Sequence, residues 1–170
     1  MILSCGEALI DFIPVRDDNG GILYRPCPGG SPYNTALALG RLNVPTAFLC
    51  AVSKDFFGSL LLSHLQQSGV QTDWVRCLER DTTLAFVSAK SVDSEVEYAF
   101  YGRETADRSL TDADLPACLP AKVGLLQFGS VSLVLEPTAS TMEQLMARES
   151  SNRMVTLDPN IRPRLIPDRH

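Results

Sequence analysis

A chain of 170 residues that is 45% hydrophobic and 21% charged has ordinary globular composition and enough length to bury one sizeable core. Its formal net charge is -5 at pH 7, and its lysines and arginines form no cluster that could neutralise phosphates. This balance argues against a nucleic-acid partner and against a membrane-surface partner. It favours a small soluble ligand.

The five cysteines are too scattered to indicate a metal site or a disulfide framework. They are odd in number, form no C-x-x-C pair and lie mostly in apolar stretches, at Cys5, Cys27, Cys50, Cys77 and Cys118. Reduced thiols are typical of a cytoplasmic protein. The N-terminus lacks the basic region and long apolar core of an export signal. We therefore expect a cytoplasmic protein and assign no metal ligands.

Strand patterns and helical periodicity alternate along the chain. Strands are predicted where short apolar runs are rich in β formers, at 1–5, 9–15, 22–25, 47–52, 83–89, 95–101, 123–128 and 154–157. Helices are predicted where apolar residues recur at helical spacing, at 32–42, 55–68 and 136–150. Strands that alternate with helices in this way indicate an α/β fold with a parallel sheet.

Two segments break this alternation, at about 11–26 and 83–102. Both have more polar faces and few helices between their strands, and the first contains a turn cluster of Asp, Asn and Gly. We predict that they form a small antiparallel β element, which projects from the α/β core as a lid over a cleft. The alternative is that they simply edge the main sheet.

Two glycines directly before a predicted helix mark a candidate binding site. Gly29 and Gly30 allow the backbone to approach a ligand, and the free N–H groups at the helix start can bind hydroxyl or anionic oxygens. Asn34, in the first turn, offers a donor and an acceptor to the same space. Ordinary connection geometry is the alternative. The segment is neither a Walker A loop nor a dinucleotide fingerprint, so a dinucleotide-binding domain is disfavoured.

Several separated motifs, in a consistent order, resemble the PfkB (ribokinase-like) carbohydrate kinases. They comprise Gly29, Gly30, Asn34, Ala36, Gly40 and Gly58, the segment Gly-Glu-Ala-Leu-Ile-Asp-Phe at 6–12, Phe100 and Tyr101 with Ala106 and Asp107, and Asp-Pro-Asn-Ile-Arg-Pro at 158–163. The resemblance extends over essentially the whole chain. The fructokinase and 2-keto-3-deoxygluconate kinase branch looks closest.

This resemblance implies a ribokinase-like parallel sheet flanked by helices, with a Rossmann-like core, a small antiparallel β lid and a sugar held between them. The implied activity is transfer of the γ-phosphoryl group of ATP to a sugar hydroxyl, with Mg²⁺. The identity of the ketose and a requirement for a monovalent cation are left open. Relatives often pair through the lid, so a homodimer is a candidate assembly, and the sequence leaves the oligomeric state open.

The resemblance also implies which residues contact the sugar. Asp11 matches the family's sugar-binding aspartate, at a strand end where a carboxylate can accept two hydroxyls. Gly29, Gly30 and Asn34 match further contacts that would bind and orient hydroxyl groups. We therefore expect these side chains and backbone groups to face one cleft.

Phe100, Tyr101 and Arg103 are candidate contacts from the lid, although aromatic residues in an alternating strand also serve packing. The fructokinase branch usually reads Phe-Tyr-Arg at this point, whereas this chain has Phe-Tyr-Gly-Arg. Strand alternation turns Arg103 to the opposite face from that arginine, unless a bulge at Gly102 restores its direction. The sugar preference inferred from that arginine is therefore open.

Three polar residues follow the last predicted strand, at the edge where α/β sheets bind ligands. Arg162 is assigned a contact with the sugar or the transferred phosphate, and Asn160 is a further candidate contact. Asp158 is expected to hold the loop through bonds to its backbone.

The family's catalytic base and phosphate cradle come from a Gly-Ala-Gly-Asp segment, and this sequence does not contain one. No catalytic residue is therefore assigned. Residues 1–170 are expected to form the N-terminal part of a ribokinase-like domain, without its ATP-binding part and inactive alone. A non-catalytic sugar-binding module is the alternative. We also expect the apolar strand at 154–157 to be unpaired on one side.

Overall fold

The computed structural model describes residues 1–88 and 97–161, which form an α/β core and a second, smaller sheet. In chain order the strands and α-helices are β1 (Ile2–Cys5), β2 (Leu9–Arg16), β3 (Ile22–Gly29), α1 (Ser31–Arg41), β4 (Thr46–Ser53), α2 (Phe56–Gln67), β5 (Gln71–Leu78), β6 (Leu84–Val87), β7 (Tyr98–Tyr101), β8 (Leu125–Gly129), α3 (Thr138–Glu149) and β9 (Met154–Asp158).

The main sheet is parallel throughout and has the strand order β5-β4-β1-β8-β9. Burial on both faces of this sheet explains why the sequence of β4 is an almost continuous apolar run. All eight residues of β4 are buried, and they alternate between the two faces of the sheet. Leu49 packs into the layer that contains Met142 and Leu145 of α3, whereas Phe48 packs with residues of α1 and α2. The predicted α/β sheet, covered by helices on both faces, is confirmed.

The second sheet, called the small sheet below, has the order β3-β2-β6-β7 and does not edge the main sheet. β2 pairs antiparallel with β3, and β6 pairs antiparallel with β7. The central pairing of β2 with β6 is parallel. The small sheet is therefore mixed, because the chain passes through α1, β4, α2 and β5 before it returns to pair with β2.

The helix starts follow local rules that the sequence carries. α1 begins after Gly30, whose φ of 109° is readily adopted only by glycine, and proline lies in its first turn. α2 begins after Asp55, whose carboxylate accepts a hydrogen bond from the Gly58 N–H at 2.7 Å. Among the described residues, no helix is long and apolar enough to cross a membrane.

One strand is not predicted by the sequence pattern, and the bounds of others differ from the predicted ones by a few residues. β5 was not predicted, because this edge strand begins with three polar residues and Arg76 interrupts its later apolar residues. The strands predicted at 83–89 and 95–101 are observed as β6 and β7, and their predicted positions 89, 95 and 96 lie outside the described residues.

Candidate functional site

A cleft of about 450 Å³ lies where the carboxyl ends of three core strands meet the start of α1 and the small sheet. Its lining residues include five of the predicted sugar contacts: Asp11, Gly30, Asn34, Phe100 and Asn160. The others are Glu7, Leu9, Ser31, Thr35, Ala38, Tyr98, Ser130 and Val131. The structure thus gathers, at one sheet edge, residues that are up to 153 positions apart (160 − 7).

The two glycines before α1 are required by close packing around this cleft. A Cβ at Gly30 would lie 2.6 Å from the carbonyl oxygen of Glu7, and a Cβ at Gly29 would collide with the carboxylate of Asp11. Gly29 is not among the residues that line the cleft. The backbone N–H of Asn34 donates to the Gly30 carbonyl at 2.9 Å, which fixes the first turn of α1 with the Asn34 side chain at the cleft.

Asp11 and Phe100 reach the cleft from the same face of the small sheet. Asp11 is paired with Ala85 across β2 and β6, and Ala85 is paired with Phe100 across β6 and β7. Residues that are directly opposite each other share a face of a sheet. Tyr98 lies two positions from Phe100, and it lines the cleft from the same face.

Tyr101 and Arg103 are not brought into this cleft. Both line a second hollow of about 730 Å³, together with Asp55, Phe56 and Phe57. The Tyr101 ring packs edge-on against Phe86, with centroids 5.6 Å apart. Arg103 also borders a hollow of about 270 Å³ that adjoins the cleft, because Leu9, Phe100 and Val131 line both.

The loop after β9 contributes one predicted contact. The Asn160 backbone N–H donates to the Asp158 carboxylate at 3.2 Å, which is the loop-holding role expected of Asp158. Asn160 has a φ of 38° and lines the cleft. Arg162 lies outside the described residues.

Glu7 is a cleft residue that sequence reasoning did not single out. It is 2% exposed, and its two carboxylate oxygens accept hydrogen bonds from the backbone N–H groups of Ser31, at 3.1 Å, and Ser132, at 3.2 Å. Burial raises the pKa of Glu7, although these hydrogen bonds and one from the Ser130 side chain oppose that shift. The available signal was a carboxylate inside the otherwise apolar run from Cys5 to Ile10.

A second buried carboxylate, Asp107, does not line the cleft but lines the adjoining hollow of about 270 Å³. Its Oδ1 accepts hydrogen bonds from the hydroxyls of Thr83, at 2.6 Å, and Thr105, at 3.0 Å. Burial raises the pKa of Asp107 against the effect of these bonds and of Arg108. Since Thr83 precedes β6 and Thr105 follows β7, Asp107 joins the base of the small sheet to the core.

A parallel sheet with helices on both faces, a separate small sheet and a polar cleft at the strand ends define a ribokinase-like α/β protein. The model for the pfkB family carbohydrate kinases matches residues 1–170. The chain belongs to the pfkB family of carbohydrate kinases.

Individual relatives agree with this assignment. The fructokinase of Rhizobium leguminosarum bv. trifolii is 44% identical over 169 residues, which cover 99% of this chain and 51% of that protein. Fructokinase from Xylella fastidiosa with bound ATP superimposes with a TM-score of 0.85 at 29% identity, covering 99% of this chain and 51% of the other. Fructokinase from Vibrio cholerae O395, in a form with bound fructose, ADP and calcium ion, gives a TM-score of 0.81 at 27% identity, covering 98% of this chain and 52% of the other.

The chain spans about half the length of the curated relatives that it matches. The matched part carries the cleft described above.

Proposed function

We propose that this chain provides the sugar-binding cleft of an ATP-dependent kinase that phosphorylates a ketose of the fructose type. The observation that carries this proposal is the convergence of Asp11, Asn34 and the start of α1 on one cleft of about 450 Å³. That volume suits a small ligand. The fructokinase relatives support the choice of a ketose.

The chemistry of the cleft suits a sugar. A carboxylate such as that of Asp11 can accept hydrogen bonds from two neighbouring hydroxyls, and the Asn34 amide can both donate and accept. The rings of Tyr98 and Phe100 offer apolar surface to the C–H groups of a sugar ring, at the side of the cleft formed by the small sheet. The Asp11 carboxylate beside these rings, together with the Asn34 amide at the start of α1, would fix the orientation of the sugar.

The relatives also support a nucleotide as the phosphoryl donor, because solved fructokinases contain ATP, or ADP with fructose. In such a transfer, the sugar oxygen bonds to the γ-phosphorus as the bond to the β-phosphate oxygen breaks, and the hydroxyl proton leaves to a base. We assign to the described residues the binding and orientation of the sugar, and we assign no base among them.

We propose Mg²⁺ as the cation that accompanies ATP, with a monovalent cation as a further candidate. One Vibrio cholerae fructokinase structure, of a double mutant, contains fructose, ADP and potassium ion. Within residues 1–88 and 97–161, no group of three or more His, Cys, Asp or Glu side chains could hold a metal ion. The proposal therefore uses no metal ligand from the described residues.

The test is a coupled ATP-to-ADP assay of the full-length product of the gene that encodes this chain, across a panel of ketoses and 2-keto-3-deoxygluconate. We expect one ketose to be phosphorylated. Asp11→Asn should lower kcat/KM for that ketose by about 100-fold, since hydrogen bonds to a charged group contribute about 1.5–3 kcal/mol each. Asp18→Asn is the matched control, because Asp18 is exposed in the hairpin turn of the same sheet.

Three outcomes separate the alternatives. Turnover that is lost in Asp11→Asn and kept in Asp18→Asn supports the proposal. Sugar binding by calorimetry without turnover would favour a non-catalytic sugar-binding module. Neither binding nor turnover with any sugar of the panel would overturn the proposed function.

A further inference from the structure

Glu7 is buried at the floor of the cleft, and its carboxylate joins two segments that both contribute to the cleft wall. One oxygen accepts the Ser31 N–H and the other accepts the Ser132 N–H. These partners are 24 and 125 positions away in sequence. The Glu7 side chain therefore bridges two parts of the cleft wall that are distant from each other in sequence.

The first segment is the start of α1. Ser31 is the first residue of this helix, Gly30 precedes it, and Asn34 lies in its first turn. The main chain at Glu7 also packs closely here, since its carbonyl leaves no room for a Cβ at Gly30. Loss of the bond between Glu7 and Ser31 would therefore free the helix start that presents Asn34 to the ligand.

The second segment is the short 3-10 helix that follows β8, Ser130–Leu133. Ser130 and Val131 line the cleft, and Ser130 has a φ of 65°. Few non-glycine residues adopt this conformation, so other contacts must hold it. The Ser130 side chain and the Ser132 N–H both donate hydrogen bonds to Glu7. The same carboxylate therefore holds this turn in place.

Hydrogen bonds favour the ionised form of this carboxylate and oppose the burial that raises its pKa. One partner, the Ser31 N–H, is at the start of α1, where unpaired donors and the helix dipole favour a negative group. An ionised carboxylate accepts hydrogen bonds at both oxygens, whereas a carboxamide of the same shape accepts at one and donates at the other. Only the carboxylate can satisfy both donors.

We propose that Glu7 is a positioning residue for sugar binding, which holds the start of α1 and the turn after β8 at the separation that the sugar requires. This inference rests on the proposed function, because it concerns the same cleft. Glu7 is not assigned a bond to the reacting atoms.

The test is Glu7→Gln in the full-length gene product, after wild-type turnover of a ketose has been established. We expect the KM for the ketose to rise about 10-fold, which corresponds to about 1.4 kcal/mol. The KM for ATP should change by less than about twofold, because the described cleft binds the sugar. A purely structural role would reduce the amount of folded enzyme and leave both KM values unchanged.

The matched control is Glu149→Gln. Glu149 is also buried, at the end of α3, where it pairs with Arg148 at 2.8 Å and Arg153 at 3.3 Å. It does not line the cleft. This control should lower the melting temperature and leave the KM for the ketose at the wild-type value.

If Glu7→Gln does not fold, Ser31→Pro is a second variant that removes the hydrogen bond between Glu7 and residue 31. Proline is tolerated in the first turn of a helix, and it removes the Ser31 N–H that Glu7 accepts. Its effect should match that of Glu7→Gln, with a raised KM for the ketose and an unchanged KM for ATP. An unchanged KM for the ketose in both variants, or equal rises for both substrates, would overturn the proposal. Absence of turnover in the wild type would instead contradict the proposed function.

Discussion

Phe100 and Tyr101 are neighbours in β7 whose rings lie on opposite faces of the small sheet. Phe100 shares a face with Asp11 and lines the cleft. Tyr101 packs against Phe86 on the other face, where Phe86 also stacks on Phe12 with centroids 4.4 Å apart. Strand geometry therefore places the Phe100 ring at the cleft and the Tyr101 ring in an aromatic cluster on the other face.

This difference predicts separate effects for two similar truncations. Phe100→Ala should raise the KM for the ketose about fivefold, because an aromatic contact contributes about 0.5–1.5 kcal/mol beyond burial. Tyr101→Ala should leave this KM at the wild-type value. Steady-state kinetics of both variants of the full-length product would check the prediction. A larger rise in KM for Tyr101→Ala than for Phe100→Ala would contradict it.

The sequence predicts a site residue well when the groups that the residue contacts are close to it in the chain. Gly30 and Asn34 belong to one helix start, so their pattern indicates their arrangement. Glu7 was missed because its partners Ser31 and Ser132 are distant in sequence, and a carboxylate inside an apolar run does not reveal what it will meet. Tyr101 was proposed beside Phe100 because both are aromatic, although alternation along a strand separates them.

The Asp55 side chain joins the start of α2 to the segment just before β6. Its carboxylate caps α2 through the Gly58 N–H and also accepts hydrogen bonds from the Thr82 N–H, at 3.0 Å, and the Thr82 hydroxyl, at 2.8 Å. Partial burial raises the pKa of Asp55, but the hydrogen bonds from Gly58, Thr82 and Ser53 outweigh it, so the pKa is lowered overall. The ionised form is therefore stabilised by folding.

Removal of this cap should destabilise the protein in a pH-dependent way. Asp55→Ala should lower the free energy of unfolding at pH 7 by about 1–2 kcal/mol, the usual contribution of a helix cap. Because the folded-state pKa is lowered, the contribution of the charge is present above the ordinary aspartate pKa and is lost as the pH falls through the folded value.

Asp55→Asn is the matched variant, because asparagine is also a good cap. It should retain much of the stability at pH 7 and lose the acid dependence of this site. Urea unfolding between pH 7 and pH 3 would measure both variants. Equal stability of the wild type and Asp55→Ala at pH 7 would contradict the assigned role.

Helices and strands were predictable where a local sequence pattern determines them. They were less predictable where pairing with a distant strand determines them. The fully buried strand β4 was read from its apolar run, and α2 from its amphipathic repeat and cap. β5 was not, because a strand at a sheet edge needs apolar residues on only one side. The parallel pairing of β2 with β6 was also missed, since paired residues that are 74 positions apart (84 − 10, at Ile10 and Leu84) carry no local signal of strand direction.

On the scale of the whole molecule, the main sheet ends on an apolar strand. Among the described strands, β9 pairs only with β8. Met154 is 64% exposed and Leu157 is 56% exposed on this strand. An unpaired edge that also exposes apolar side chains is a site for association with another chain or segment. This edge was expected from the resemblance, because the part of the domain that follows this strand in the relatives was expected to be absent from residues 1–170.

The exposed edge predicts the solution behaviour of residues 1–170 produced by themselves. Sedimentation should show association that increases with concentration, and Met154→Lys combined with Leu157→Lys should reduce it, since charged edge residues oppose strand pairing. Leu42→Lys, at a leucine that is 72% exposed after α1, is the matched control and should have no effect. A dimer through the small sheet, which we also propose and which its exposed Leu23, Tyr24 and Tyr101 support, should survive the β9 variant. If residues 1–170 stay monomeric at high concentration, the apolar edge does not drive association, and other contacts within the chain must cover it.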